Sequence, residues 1–188
     1  MIIIALGGNA PVDGLKPIDV IRAAGEVLER SVGVTARSRL YRSPAWPDPA
    51  DPEFVNAVLA VRPHYAPVAL LQRLTQIEAA FGRLRSARWG PRTLDLDLLD
   101  YDGRTRAPDA ESDLELPHPR MMERLFVLRP LLDIAPDWAH PETGEAAAQS
   151  VERLGTETEA RPFSDDWRLS EAAEALVETV GEAAGLRT

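Results

Sequence analysis

Residues 82–99 read Gly-Arg-Leu-Arg-Ser-Ala-Arg-Trp-Gly-Pro-Arg-Thr-Leu-Asp-Leu-Asp-Leu-Leu. Arg83, Arg85, Arg88 and Arg92 fall within ten residues that hold no acid, and they lead into the alternating run Leu94-Asp95-Leu96-Asp97-Leu98. Alternation at period two predicts a strand, with Asp95 and Asp97 on one face and the leucines on the other. Two carboxylates about 7 Å apart along a strand repel each other unless a cation sits between them. Magnesium satisfies hard oxygen donors of this kind and brings phosphates with it. Arginines in the preceding loop supply bidentate phosphate donors. The alternative is a solvated acidic face neutralised by nearby arginines. Trp89, Gly90 and Pro91 weigh against it, because they shape a backbone rather than solvate it. The run therefore reads as a polyphosphate site with Asp95 and Asp97 as metal ligands.

The elements that must position this site follow from periodicity and breakers. Ile2 to Leu6 is a buried-strand run closed by Gly7-Gly8-Asn9. Lys16 to Ser31 is helical, with Pro17 in its first turn and Gly33 after its end. Val34 to Arg42 alternates as a strand, and the prolines at 44, 47, 49 and 52 make the next segment a loop. Phe54 to Val61 is a strand, Pro67 to Phe81 a helix with Leu70, Leu71, Leu74 and Ile77 on one face, and Thr93 to Tyr101 the acidic strand. Residues 104–120 are mostly loop, and Arg124 to Ile134 is helical. The order β-α-β-β-α-β predicts an α+β fold: a ferredoxin-like core with an antiparallel sheet flanked by helices. Residues 1–140 are expected to form the catalytic domain. Residues 141–188 are expected to be a polar linker and an acidic C-terminal helix, Ser170 to Ala184, of unassigned role and dispensable for chemistry.

The 188 residues suffice for one domain with a modest appendage. Hydrophobic residues make up 45%, and there is no cysteine, so disulfides and thiolate metal sites are excluded. The net charge of −9 is uneven: residues 141–188 hold eleven acids and four arginines, leaving nineteen acids against seventeen bases in the rest. A broad basic surface of the kind nucleic-acid binding needs is not expected. The apolar Met1 to Leu6 is too short for a membrane span, so a cytoplasmic protein without membrane contact is expected.

Taken together the residues resemble the 6-hydroxymethyl-7,8-dihydropterin pyrophosphokinases of folate biosynthesis. The resemblance runs through residues 1–140. Its blocks are Ala5-Leu6-Gly7-Gly8-Asn9, Tyr41-Arg42-Ser43-Pro44, Phe54-Val55-Asn56-Ala57-Val58, Ile77-Glu78 with Gly82-Arg83, and Arg88 to Asp97. It closes with Leu116-Pro117-His118-Pro119-Arg120 and Phe126-Val127-Leu128-Arg129-Pro130-Leu131. It implies transfer of pyrophosphate from ATP to the pterin hydroxymethyl oxygen with release of AMP. It implies two magnesium ions on Asp95 and Asp97, and Arg83 and Arg92 as catalytic charge stabilisers. On the pterin side it implies the backbone around Ser43, Pro44 and Ala45, rings from Phe54 and Phe126, and Asn56 at the pterin edge. On the nucleotide side it implies Glu78, Arg85, Arg88, Trp89, Leu98, His118 and Arg124, with Trp89 closing the loop over the site. Phe54 and Asn56, two apart on a strand, share a face. A monomer working on two small molecules, ATP and the pterin, is expected. Two other readings stay open: a two-metal phosphohydrolase that uses water as acceptor, and a ferredoxin-like ligand-binding module without activity.

Overall fold

A computed structural model of the chain describes residues 1–45, 48–62, 64–82, 92–155 and 160–186. Strand β1 (Ile2–Gly8) is central. It pairs antiparallel with β4 (Phe54–Val61) on one side and β5 (Asp95–Tyr101) on the other. Beyond β4 lie β2 (Val34–Arg37) and β3 (Leu40–Ser43), and β6 (Arg161–Ser164) pairs with β3. The sheet order is β5-β1-β4-β3-β6, with β2 also on β4.

Period-two patterning sorts the sheet's side chains into two cores. On one face Ile4, Leu6, Leu59, Leu96 and Leu98 pack under α1 (Pro17–Val32) and α2 (Pro67–Ala80). On the other, Ile3, Val58 and Leu99 pack against α3 (Leu125–Ile134), with Ala147 of α4 (Ala147–Leu154). The leucines of the acidic strand are thus core residues, as their alternation predicts. Pro17 opens α1, and the N–H of Gly33, at φ 69°, closes it on the Glu29 carbonyl.

The expected single strand over 34–42 is two strands. Val58 N–H donates to Ser38 Oγ at 2.9 Å, while Ser38 N–H donates to the Val58 carbonyl. The serine hydroxyl takes a ladder bond that backbone would otherwise make, and the chain leaves register there.

Residues 141–169 differ more from the linker expectation. They include α4 and β6, and β6 extends the sheet. Helix α5 (Glu171–Ala183) does begin at Ser170, whose Oγ accepts from Ala173 N–H. It is no free appendage: Leu176, Val177 and Val180 join the core over α1 and α2. Trp167 leads into it. A Cβ on Gly25 of α1 would stand 2.7 Å from the Trp167 ring, so the glycine forms the ring's seat. The indole N–H donates to the Ser38 carbonyl at 2.9 Å, and the Arg37 guanidinium lies 5.4 Å from the ring centroid. Composition reads this segment as polar because only a few large apolar groups do the packing. Trp167→Ala should lower the unfolding free energy by about 2 kcal/mol, less than for a fully buried tryptophan. Urea unfolding checks this, and a change under about 0.5 kcal/mol would show that the seat contributes little.

Candidate active site on the α3 face of the sheet

The register places the candidate side chains in rows across the sheet. Gly7 pairs with Asn56 on one side and Asp95 on the other; Ala5 pairs likewise with Val58 and Asp97. On the next strand Tyr41 pairs with Asn56, and Ser43 with Phe54. Two strand spacings separate Asp95 from Asn56, about 10 Å, with a residue lacking a side chain between them. A Cβ at Gly7 would stand 3.2 Å from Asn56 Oδ1. The acidic strand and the asparagine strand therefore flank a trough whose floor is Gly7 and Ala5.

The end of β1 fixes one rim. A Cβ at Gly8 would lie 2.5 Å from the Thr93 carbonyl oxygen, so backbone packs directly on backbone there. The N–H groups of Asn9 and Ala10 both donate to the Arg92 carbonyl, at 2.9 and 3.0 Å. The buried Asn9 side chain accepts from Arg92 N–H at 2.9 Å and donates to the Pro52 carbonyl at 3.1 Å. Asn9 thus joins β1, the residues before β5 and Pro52 just before β4. The sequence reading assigned it only to the close of a strand. Its adjacency to two glycines is the signal that could have marked a close backbone approach.

On the acidic side, Arg92 pairs with Asp95, and Arg124 Nη1 lies 3.7 Å from Asp97 Oδ2. Arg124 also stands over the Phe126 ring, 5.7 Å from its centroid. Burial pulls the Arg124 guanidinium below its ordinary pKa, against the opposing pull of Asp97; it stays charged. Burial likewise holds the His118 imidazole low, with Asp97 pulling the other way. His118 Nδ1 accepts from Arg120 N–H at 3.2 Å, which leaves Nε2 as the N–H donor of the neutral ring. The His118 backbone N–H donates to the Leu99 carbonyl at 2.8 Å and docks the 116–120 loop on β5. These groups are the ones the sequence named for phosphates and metal.

Glu78 stands differently. It is buried on α2, and its Oε1 accepts from Leu96 N–H at 2.7 Å. This carboxylate braces the outer edge of the strand that carries Asp95 and Asp97. The Leu98 side chain belongs to the core under α1 and α2. Asp100, unremarked in the sequence, is a buried carboxylate that accepts from Gly103 N–H and Trp138 Nε1–H, both at 2.8 Å. It anchors the far end of β5. Arg83, Arg85, Arg88 and Trp89 lie outside the described residues.

On the other side of the trough, Asn56 Nδ2 donates to Ser43 Oγ at 2.9 Å, and both residues are buried. That bond orients the amide and leaves its oxygen toward the Gly7 floor. Phe54 and Phe126 are half-buried and Ala45 is buried; Pro44 is exposed. Helix α3 carries Phe126 in its first turn, and its other end is tied down. Arg39 donates to both oxygens of Asp133, at 2.7 Å for the shortest bond, and Tyr41 Oη–H donates to Asp133 at 3.1 Å. Burial pushes the Tyr41 hydroxyl up to about 12. Burial also pushes the Asp133 carboxyl up, but the Arg39 hydrogen bonds outweigh it and hold it below the carboxylate range.

Asp95 and Asp97 suit a hard cation: oxygen donors on one face, with side chains 20% and 35% exposed. Among the described residues no group of three or more His, Asp or Glu completes a protein-only metal cage. A cation held here would draw its remaining ligands from water and from phosphate oxygens, as magnesium does. No helix among the described residues is long and apolar enough to cross a membrane.

Residues 3–136 match the family model described as 7,8-dihydro-6-hydroxymethylpterin-pyrophosphokinase. A 2-amino-4-hydroxy-6-hydroxymethyldihydropteridine pyrophosphokinase of Synechocystis is 40% identical over 155 residues, covering 81% of this chain and 75% of the relative. The enzyme of the same name from Pseudomonas aeruginosa is 41% identical over 141 residues, covering 74% and 83%. Among solved structures, wild-type HPPK-DHPS of Plasmodium falciparum superposes with a TM-score of 0.62 at 12% identity, covering 81% of this chain. That likeness is one of fold, and this chain spans 44% of the Plasmodium chain.

Proposed function

The chain belongs to the 7,8-dihydro-6-hydroxymethylpterin-pyrophosphokinase family, and from that premise we propose that it transfers pyrophosphate from ATP to 6-hydroxymethyl-7,8-dihydropterin, releasing AMP, in folate biosynthesis. The observation that carries the proposal is the pair of rows across β1. They stand the Asp95 carboxylate about 10 Å from the Asn56 amide across Gly7, with Asp97 on the same face, a spacing that supports a metal-and-phosphate side next to a pterin side. Two substrates fit side by side over Gly7 and Ala5.

In this reading the hydroxymethyl oxygen attacks the β-phosphorus of ATP. The bond from that phosphorus to the α,β-bridging oxygen breaks, and AMP leaves. Asp95 and Asp97 would hold two magnesium ions, which when bound would neutralise the polyphosphate and favour ionisation of the attacking hydroxyl. Arg92 and Arg124, which pair with these carboxylates, turn to phosphate oxygens. There they stabilise charge that grows in the transition state. Neutral His118 donates through Nε2 to a phosphate without adding a full charge. Arg83 stabilises the transferring group, Arg85 and Arg88 steer phosphates, and Trp89 closes the site against water.

Asn56 and the backbone around Ser43, Pro44 and Ala45 read the pterin edge, and Phe54 and Phe126 flank its ring. The Leu98 peptide points the same way as that of Leu96, toward the outer edge of β5, where a nucleobase edge can pair with it. Glu78 serves the nucleotide through that strand. Residues 1–140 carry every group in this scheme, and the chain acts as a cytoplasmic monomer without a nucleic-acid partner.

Incubation with ATP, magnesium and the pterin tests the proposal: AMP should form only when the pterin is present. AMP formed without pterin would instead support a phosphohydrolase, and no AMP in either case would support a ligand-binding module.

A further inference from the structure

Phe126, Arg129 and Asp133 are spaced three and four apart on α3, so they form one stripe along the helix. That stripe faces the β3–β6 end of the sheet. Asp133 is tied to Arg39 and Tyr41 beside and within β3. Arg129 Nη1 donates at 2.6 Å to the carbonyl of Ala160, the residue before β6. Ala160 is fully buried and forms a small core with Tyr41 and Leu125, against which Phe126, Val151 and Leu154 also pack. Residues of α4 and the approach to β6 therefore lie directly behind the ring proposed to flank the pterin. Strand β6 is in turn fixed on β3, where Tyr41 pairs with Pro162 and Arg42 with Arg161. The later part of the tail goes elsewhere: α5 packs on α1 and α2, on the opposite face of the sheet.

We propose that the C-terminal segment is divided in function, and that Arg129, through its bond to the Ala160 carbonyl, is a positioning residue for the pterin wall. Helix α4 and residues 160–164 set where Phe126 stands, while α5 only stabilises the back of the sheet. This rests on the pyrophosphokinase reading and replaces the expectation that everything beyond residue 140 is dispensable. The nucleotide side should feel the tie little. Arg124 stands over the Phe126 ring, but it lies outside the stripe and is held by its own charge partner, Asp97.

The test compares Arg129→Met, which keeps the aliphatic stem and removes the donors, with Arg129→Lys, which keeps a donor. Arg129→Met should raise the pterin KM at least fivefold, with the ATP KM within twofold and kcat within threefold of the parent. Arg129→Lys should bring the pterin KM back to within twofold. Trp167→Ala serves as the stability control and should leave both KM values within twofold. In the ligand-free protein, amide exchange over residues 125–128 should quicken in Arg129→Met and not in Trp167→Ala. A parental pterin KM in Arg129→Met, a parallel rise of both KM values, or unchanged exchange at 125–128 would each overturn the proposal. A parent protein that makes no pterin-dependent AMP would instead overturn the activity, and exchange would still judge the tie.

Discussion

Asp97→Ala should lower pterin-dependent AMP formation at least a thousandfold and leave the fold intact. The side chain is about one-third exposed on the edge strand, so its removal costs the core nothing. Its loss takes away half of the carboxylate pair proposed to hold magnesium and leaves Arg124 without the acid 3.7 Å away. A single preorganised electrostatic contact is worth about 10²–10³ in rate, and a metal that aligns attacking and leaving oxygens is worth more. A thousandfold corresponds to about 4 kcal/mol of barrier. Asp97→Asn should be nearly as inactive, since it keeps shape but not charge. Steady-state AMP release, with circular dichroism to verify the fold, decides the matter. A folded Asp97→Ala protein that retains a tenth of parental turnover would exclude Asp97 from the metal site.

The next largest effect is expected on pterin recognition. Asn56→Ala and Phe126→Ala should each weaken pterin binding at least tenfold while changing MgATP binding less than twofold. Asn56 is buried with its amide pinned by Ser43. Removing it forfeits the pterin-edge contacts and strands the Ser43 hydroxyl, at about 1–3 kcal/mol. Ring stacking is worth about 0.5–1.5 kcal/mol beyond burial, and truncating Phe126 forfeits both terms. Calorimetric titration of each ligand into each variant separates the two sides of the trough. Parental pterin affinity in both variants would put the pterin elsewhere. Equal losses for both ligands would mean that the substitutions loosen the core.

The two faces of the acidic strand were more legible in the sequence than the scaffold around it. Alternation alone placed Asp95 and Asp97 on one face and sent Leu94, Leu96 and Leu98 into the core, because side-chain direction in a strand is a local property. What lies across from those acids is not local. Gly7 looked like the end of a strand until pairing set it between Asp95 and Asn56, where its missing side chain becomes the trough. Glu78, which the resemblance set on the nucleotide side, showed its bond to Leu96 N–H only once α2 packed on β5. The break at Ser38 was hidden because a hydroxyl replaces a backbone partner without disturbing the alternation. The segment after residue 140 misled for a thermodynamic reason. Helix α4 has eight residues and β6 four, too short to declare themselves by periodicity. They are held by contacts with Tyr41, Leu125 and Arg129 that no window of sequence contains.

The two ends of the β5-β1-β4-β3-β6 path are also partly blocked to further strands. An edge strand ordinarily offers a row of open backbone groups to any passing extended chain. On β5 the Leu96 N–H is taken by the Glu78 carboxylate, and the Leu99 carbonyl by the His118 N–H. On β6 the run is only four residues long, and Pro162 has no N–H to give. The groups that steady the strand of Asp95 and Asp97 therefore also guard it against recruitment into intermolecular β-structure. Glu78→Ala, by this logic, would open a template for aggregation as well as slacken the site.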